Sequence, residues 1–331
     1  MKKFLIIQTA SIGDVILASP IVEKLNRFFP DARIDMLVKK GNESLMHNHP
    51  VLSEILIWDK SGRKYRNLLD LLRLVQGREY DYVINLQRFA SSGFLTAFSR
   101  AGHTVGFSKN PFSLFFGKRI RHRIGKDIQG VHEVDRNLKL IEHLTDDSGE
   151  KLALYPGKRD FALVSQYKTK KYICIAPASL WFTKQYPEEK WLEFVKELDE
   201  DIQVLFIGGP ADRDLCARII NKSGHAQSLN LAGSLSFLQT AALMKDALMN
   251  YVNDSAPQHM ASAMNAAVTA IFCSTVPGFG FGPLSDNSRV VQTPLELKCK
   301  PCGLHGFNKC PESHFKCALT INTKDLLDRL N

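Results

Sequence analysis

The chain has 331 residues, more than one hydrophobic core usually fills, so two domains are the first expectation. It is 44% hydrophobic and 23% charged, which excludes a disordered chain, and no apolar run is long enough to cross a bilayer. Lys and Arg total 43 against 34 Asp and Glu, a net charge of +9, which favours a polyanionic partner: nucleic acid, an anionic membrane or phosphorylated substrates.

The first predicted element is a buried strand at Phe4–Ile7. A leader peptide begins in a similar way, but this apolar run meets a Gly13-Asp14 turn and an amphipathic helix rather than a small-residue cleavage site. Further strands are predicted at Ile34–Val38, Ile55–Trp58, Tyr82–Asn85 and Val105–Phe107, with helices at Val15–Phe28, Lys64–Val75 and Val131–Leu144. Between them, Gly117–Gly130 carries much of the basic excess, just after Phe112, Leu114, Phe115 and Phe116. That mixture reads either as a solvated loop or as a segment touching a phospholipid surface. No helix-turn-helix, zinc-finger or RNA-recognition signature supports nucleic acid.

Lys151–Lys171 turns polar around Pro156-Gly157 and reads as a linker. The alternation then restarts with a strand entering a loop over Tyr172–Ser179, a strand ending in two glycines over Gln203–Pro210, a strand at Ala266–Thr275 and a helix at Pro187–Leu198. Alternating strands and helices predict an α/β fold of two doubly wound parallel sheets with a cleft between them. Ligands of such sheets bind beyond the carboxyl ends of the strands.

Four stretches fall at those ends. Asp14 follows the first strand, where it reads either as a helix N-cap or as a general base kept ionised by the helix N-terminus. Ser179, Thr183 and Lys184 precede a helix and combine hydroxyls with a cation, a diphosphate site if they are more than a surface loop. Asp254 and Ser255 open a small-residue helix that carries His259, which by itself reads as a buried core histidine. Ser274–Pro283 is glycine-rich, which permits close ligand approach.

These stretches resemble one family. Ser11–Leu25 (SIGDVILASPIVEKL), Pro177–Trp191 (PASLWFTKQYPEEKW) and Asn253–Met264 (NDSAPQHMASAM) are similar, in order, to the motifs of glycosyltransferase family 9, the lipopolysaccharide heptosyltransferases. Ile84–Ser92 and His132–Leu140 are weaker echoes. The resemblance implies a GT-B fold: residues 1–160 as a Rossmann-like acceptor-binding domain and 161–331 as a Rossmann-like nucleotide-sugar-binding domain. It implies inverting, metal-independent transfer of heptose from ADP-heptose to the inner core of lipopolysaccharide, with no resident cofactor. Asp14 would be the base. Ser179, Thr183 and Lys184 would hold the diphosphate, with Lys184 also catalytic. Asp254, Ser255 and His259 would complete the donor site. Asp212, after Gly208-Gly209, is a candidate for a ribose hydroxyl.

The implied partners are a nucleotide-sugar and a phosphorylated glycolipid, met at the cytoplasmic face of the inner membrane by a peripheral enzyme. Two positions depart from the family pattern: Ala256 stands where the family has glycine, and Tyr186 where tryptophan is common. Another nucleotide-sugar donor, or an epimerase or hydrolase on the same scaffold, stays open.

Cys299, Cys302, Cys310 and Cys317 cluster with His305 and His314, a spacing that reads as zinc before disulfide, but reduced packing thiols are expected rather than a metal site, with structural zinc as the alternative. Cys174, Cys216 and Cys273 lie on apolar patterns and are expected in the core.

Overall fold

The computed structural model describes residues 1–124 and 130–328. Residues 125–129 of the expected basic loop lie outside the described residues. The described residues form two compact units, 1–124 with 131–155, and 156–328 with residue 130.

The first unit runs β1 (Lys3–Gln8), α1 (Ile12–Ile16), α2 (Ser19–Phe28), β2 (Arg33–Lys39), β3 (Leu52–Trp58), α3 (Lys64–Arg78), β4 (Tyr82–Asn85), α4 (Ala90–Ala97), β5 (His103–Phe107), β6 (Lys118–Ile120) and α5 (Glu133–Leu138). Its strands form one parallel sheet in the order β3-β2-β1-β4-β5-β6. Parallel strands are covered on both faces, which is why Phe4–Ile7 is apolar at every position. Leu5 and Ile7 face a core shared with Leu68, Leu71 and Val75 of α3. Phe4 points to the other face, its ring 5.3 Å from that of Phe29.

The second unit runs α6 (Lys158–Val164), β7 (Tyr172–Ala176), α7 (Glu188–Lys196), β8 (Gln203–Phe206), α8 (Arg213–Ser223), β9 (Ser228–Asn230), α9 (Phe237–Lys245), β10 (Asn250–Asn253), α10 (Ala256–Ala263), β11 (Val268–Phe272), β12 (Ser288–Gln292), α11 (Lys316–Leu319) and α12 (Lys324–Leu327). Its parallel sheet has the order β12-β11-β10-β7-β8-β9, the same winding as the first counted from β7. Both are the doubly wound order in which ligands sit where the winding reverses. That point lies between β1 and β4 in one unit and between β7 and β10 in the other.

Three expectations need correction. The predicted helix Val15–Phe28 is two helices, because the chain turns at Leu17–Ala18 and Pro20 starts α2 anew. The predicted helix Val131–Leu144 is regular only over α5, the rest being turns. The predicted linker contains α6, whose start is fixed when Asp160 accepts from Gly157 N–H at 2.8 Å. Lys168, just beyond α6, donates to Ala242 O of α9 at 2.8 Å and pairs with Asp246 at 2.6 Å, tying the segment to the second unit.

Candidate functional site

In the first unit, Asp14 sits on α1 just beyond β1. It is the third residue of the helix, not its N-cap. Ser11 takes the cap, and Asp14 Oδ2 accepts from Ser11 N–H (3.0 Å) and Ser11 Oγ (2.5 Å) in a reciprocal box. The amide and hydroxyl of the N-cap residue therefore hold a half-buried carboxylate at a defined place. The turn before it is pinned from its neighbours. Asn42 Nδ2 donates to Ala10 O at 2.9 Å, and Lys60 Nζ donates to Thr9 O at 2.7 Å. Gln8 accepts from Gln87, which follows β4, so the two strands at the winding reversal are bridged beside Asp14.

Sequence reasoning missed Lys60. Its ammonium lies 4.5 Å from the Trp58 ring centroid, and burial, with help from the charges of Lys39 and Lys64, pushes its pKa down to about 8. The signal was its place directly after β3, at the edge where such sheets bind ligands. Of the weaker echoes, His132–Leu140 forms the capped start of α5: His132 Nδ1 accepts from Val134 N–H and Asp135 caps back to His132 N–H.

In the second unit the loops after β7, β10 and β11 converge, because these three strands are neighbours. Lys184 Nζ pairs with Asp254 Oδ2 at 2.7 Å, and Thr275 Oγ1 donates to the same oxygen at 2.6 Å. The Lys184 and Asp254 side chains are 15% and 7% exposed, so the pair is partly shielded from water. Asn253, fully buried, accepts from Tyr186 N–H (2.9 Å) and donates to Pro177 O (2.8 Å), fixing the Lys184 loop against β10.

Thr183 is 1% exposed. Its hydroxyl oxygen accepts from Phe307 N–H (2.8 Å) and Ser274 Oγ (3.0 Å), and its own N–H donates to Phe307 O (3.0 Å). The structure therefore places Thr183 beneath the loop, locking it to the 299–317 segment. Gly306 is required there: a Cβ would lie 2.9 Å from Thr183 Oγ1 and 3.0 Å from Lys184 Cγ, and its φ is +78°. Ser179 is half-buried at the outer end of the loop, its carbonyl accepting from Gln185 Nε2 at 2.6 Å.

Ser255 precedes α10, and His259 is buried one turn further on. The first turn of α10 holds no acid, whereas α7 opens on Glu188 and Glu189, with Glu188 bound to Arg218 and Lys222. The N-terminus free of acids is thus that of α10, next to Asp254. The glycine-rich loop packs over this helix through Gln258 Nε2 to Phe281 O and Leu284 N–H to Ser262 Oγ (2.9 Å). Asp212 stands apart, after β8 on the far side of β7 from β10, with its carboxylate accepting from Gly209 N–H at 2.8 Å. Tyr186 is a core residue, edge-on to Trp191 at 5.1 Å.

The cysteines do not assemble as the zinc reading expects. Among the described residues no three His, Cys, Asp or Glu are grouped to hold a metal ion. Cys302 Sγ donates to Cys299 O at 3.1 Å, Cys299 Sγ lies 3.9 Å from His314 Nε2, and Cys317 is buried, its thiol pushed up to about 11 by that burial first and by neighbouring thiols next. Cys174, Cys216 and Cys273 lie in the core.

Residues 68–306 match the family model of glycosyltransferase family 9 (heptosyltransferase). Lipopolysaccharide heptosyltransferase 3 of Escherichia coli K12 is 27% identical over 283 residues, 80% of each chain. Lipopolysaccharide core heptosyltransferase OpsX of Haemophilus influenzae is 23% identical over 338 residues, 99% of this chain and 93% of its own. The solved structure of E. coli ADP-heptose lipopolysaccharide heptosyltransferase II superposes with a TM-score of 0.80 at 20% identity, covering 100% of this chain and 98% of its own. The fold is that of these GT-B enzymes, and the chain belongs to glycosyltransferase family 9.

Proposed function

We propose that this glycosyltransferase moves heptose from ADP-heptose to the inner core of lipopolysaccharide, with inversion and without a metal ion, as a peripheral enzyme of the cytoplasmic membrane face. The observation that carries the reading is the Lys184–Asp254–Thr275 cluster at the winding reversal of the second unit. A partly shielded cation, an acid-free helix N-terminus and the hydroxyl of Ser179 suit a diphosphate. The identities of the relatives, lipopolysaccharide heptosyltransferases and an ADP-heptose enzyme, support heptose, ADP and the lipopolysaccharide core.

In this mechanism the first unit binds the acceptor and the second the donor. Asp14 takes the proton of the acceptor hydroxyl. The acceptor oxygen then forms its bond to the anomeric carbon while the bond from that carbon to the diphosphate oxygen breaks. ADP departs with the electron pair, on the face opposite the attack, so the configuration inverts. Lys184 neutralises the charge that grows on the leaving diphosphate, so no divalent cation is needed for that step. Asp254 and Thr275 aim the Lys184 amine. Ser255 and His259 line the donor side along α10. Thr183 acts from below, by holding the loop. Asp212, whose Oδ2 accepts from Gly209 N–H, would take a ribose hydroxyl on its other carboxylate oxygen.

The test is transfer to a defined inner-core acceptor with ADP-heptose, followed by NMR of the product linkage. An anomeric configuration opposite to that of the donor, at a rate unchanged by chelator, is expected. Retention, or a rate that chelator abolishes, overturns the mechanism. Turnover only with another nucleotide-sugar keeps the transferase and changes the donor.

A further inference from the structure

Residues 82–124 contain seven Lys or Arg and no Asp or Glu. None of the seven is in an ion pair among the described residues; Glu133, the acid that reaches this segment, is bound to His122 at 3.0 Å. The same segment exposes large apolar side chains. Leu114 is 78% exposed, Phe115 66%, Phe89 54% and Phe98 45%. Single exposed apolar residues need no explanation, but these are gathered. Phe89 and Phe98 flank α4 at its two ends, and Leu114 and Phe115 lie on the turn that follows β5. The Phe98 ring is 6.4 Å from Phe115 and 6.3 Å from Phe112, and Phe94 links both from below, 5.0 Å from Phe98 and 6.0 Å from Phe112.

The platform is locked rather than loose. Asn110, 2% exposed, donates to Gln87 O (2.9 Å) and Phe89 O (3.0 Å) and accepts from Phe112 N–H (2.9 Å), which staples the turn onto the start of α4. Gly93 makes room for it: a Cβ there would lie 1.9 Å from Asn110 Oδ1. Directly after the turn, edge strand β6 carries Lys118 and Arg119, and Arg121 and Arg123 follow. Arg88 lies beside the Phe89 ring at 5.6 Å.

We infer that this face of the first unit docks on an anionic phospholipid bilayer, with Phe89, Phe98, Leu114 and Phe115 entering the headgroup–acyl boundary and the surrounding cations meeting lipid phosphates. Charge decides the occupant. Seven cations with no acid in the segment that carries the aromatic patch complement an anionic lipid surface, whereas a second copy of the chain would bring the same positive charge against itself. The inference rests on the peripheral membrane location proposed above and names the face that makes the contact; it does not depend on the donor or the reaction.

Vesicle flotation tests it, using phosphatidylethanolamine with phosphatidylglycerol against phosphatidylcholine alone. The wild type is expected to float with the anionic vesicles and to be released by high salt. Leu114→Asp with Phe115→Asp is expected to weaken binding at least ~tenfold, and Arg119→Glu with Arg121→Glu about tenfold or more. All these side chains are exposed, and unchanged melting temperatures confirm folding. Wild-type protein that ignores anionic vesicles, or variants that float as well as wild type, overturns the inference. So does a wild-type dimer that the Leu114 and Phe115 changes dissociate, since the occupant is then a second copy.

Discussion

The turns after β1 and β7 are built alike and charged oppositely. Each leaves the first strand of a doubly wound sheet beside the winding reversal and leads towards a helix. In the first unit the turn presents a carboxylate, Asp14, held by the amide and hydroxyl of Ser11. In the second it presents an amine, Lys184, held by the carboxylate of Asp254. In the proposed mechanism the same scaffold position serves proton removal in the first unit and anion capture in the second. Both turns are pinned by distant residues, the first by Lys60 on Thr9 and Gln87 on Gln8, the second by Phe307 on Thr183.

The sharpest break of that comparison is at Asp14. Asp14→Asn keeps the cap geometry and removes the base, so kcat is expected to fall about 10²–10⁴-fold with donor affinity unchanged. Steady-state kinetics beside nucleotide titration checks this. Lys184→Ala is expected to lower kcat about 10²–10³-fold and to weaken ADP binding as well. Asp254→Asn leaves Lys184 without its partner in a shielded site; a loss of about 3 kcal/mol of stability is expected, together with weaker nucleotide binding, read by thermal melting with and without ADP.

Gly306→Ala probes the distant support alone. Its Cβ would press on Thr183 and Lys184 at a φ of +78°, so a cost of about 1–2 kcal/mol and a raised donor KM are expected, while acceptor KM stays put. The smallest effect is one of pH and belongs to the first unit. Burial raises the Glu133 pKa, but the hydrogen bond and charge of His122, then the charge of Arg136, outweigh it and leave the carboxyl below its usual 4.5. A depressed folded pKa stabilises fully above the unfolded value and less as the pH falls through the folded one. Melting scans below pH 5 should therefore show a steeper acid decline in wild type than in Glu133→Gln.

The two sheets and the charged turns were legible in the sequence for a simple reason. Strands buried on both faces are continuous apolar runs, and turns beyond their carboxyl ends are short and polar, so Asp14, Lys184 and Asp254 stood out. The break between α1 and α2 was not legible, since helical periodicity runs through Leu17–Ala18 and only Pro20 marks the restart. Lys60 was hidden because its partner, Thr9, is 51 residues away across the sheet. Thr183 read as a ligand-facing hydroxyl because no local feature shows that Phe307 and Ser274 already occupy it. The cysteine spacing suggested a metal knuckle, yet that segment's visible task is to buttress the Lys184 loop through Gly306 and Phe307.

The central claim is that base and donor site are separable and lie on different units. Calorimetric titration of ADP into wild type, Asp14→Asn and Lys184→Ala tests it most directly. The account predicts that Asp14→Asn binds ADP as wild type does while failing to turn over, and that Lys184→Ala loses most of the binding. Equal loss in both variants, or undiminished binding to Lys184→Ala, would contradict it.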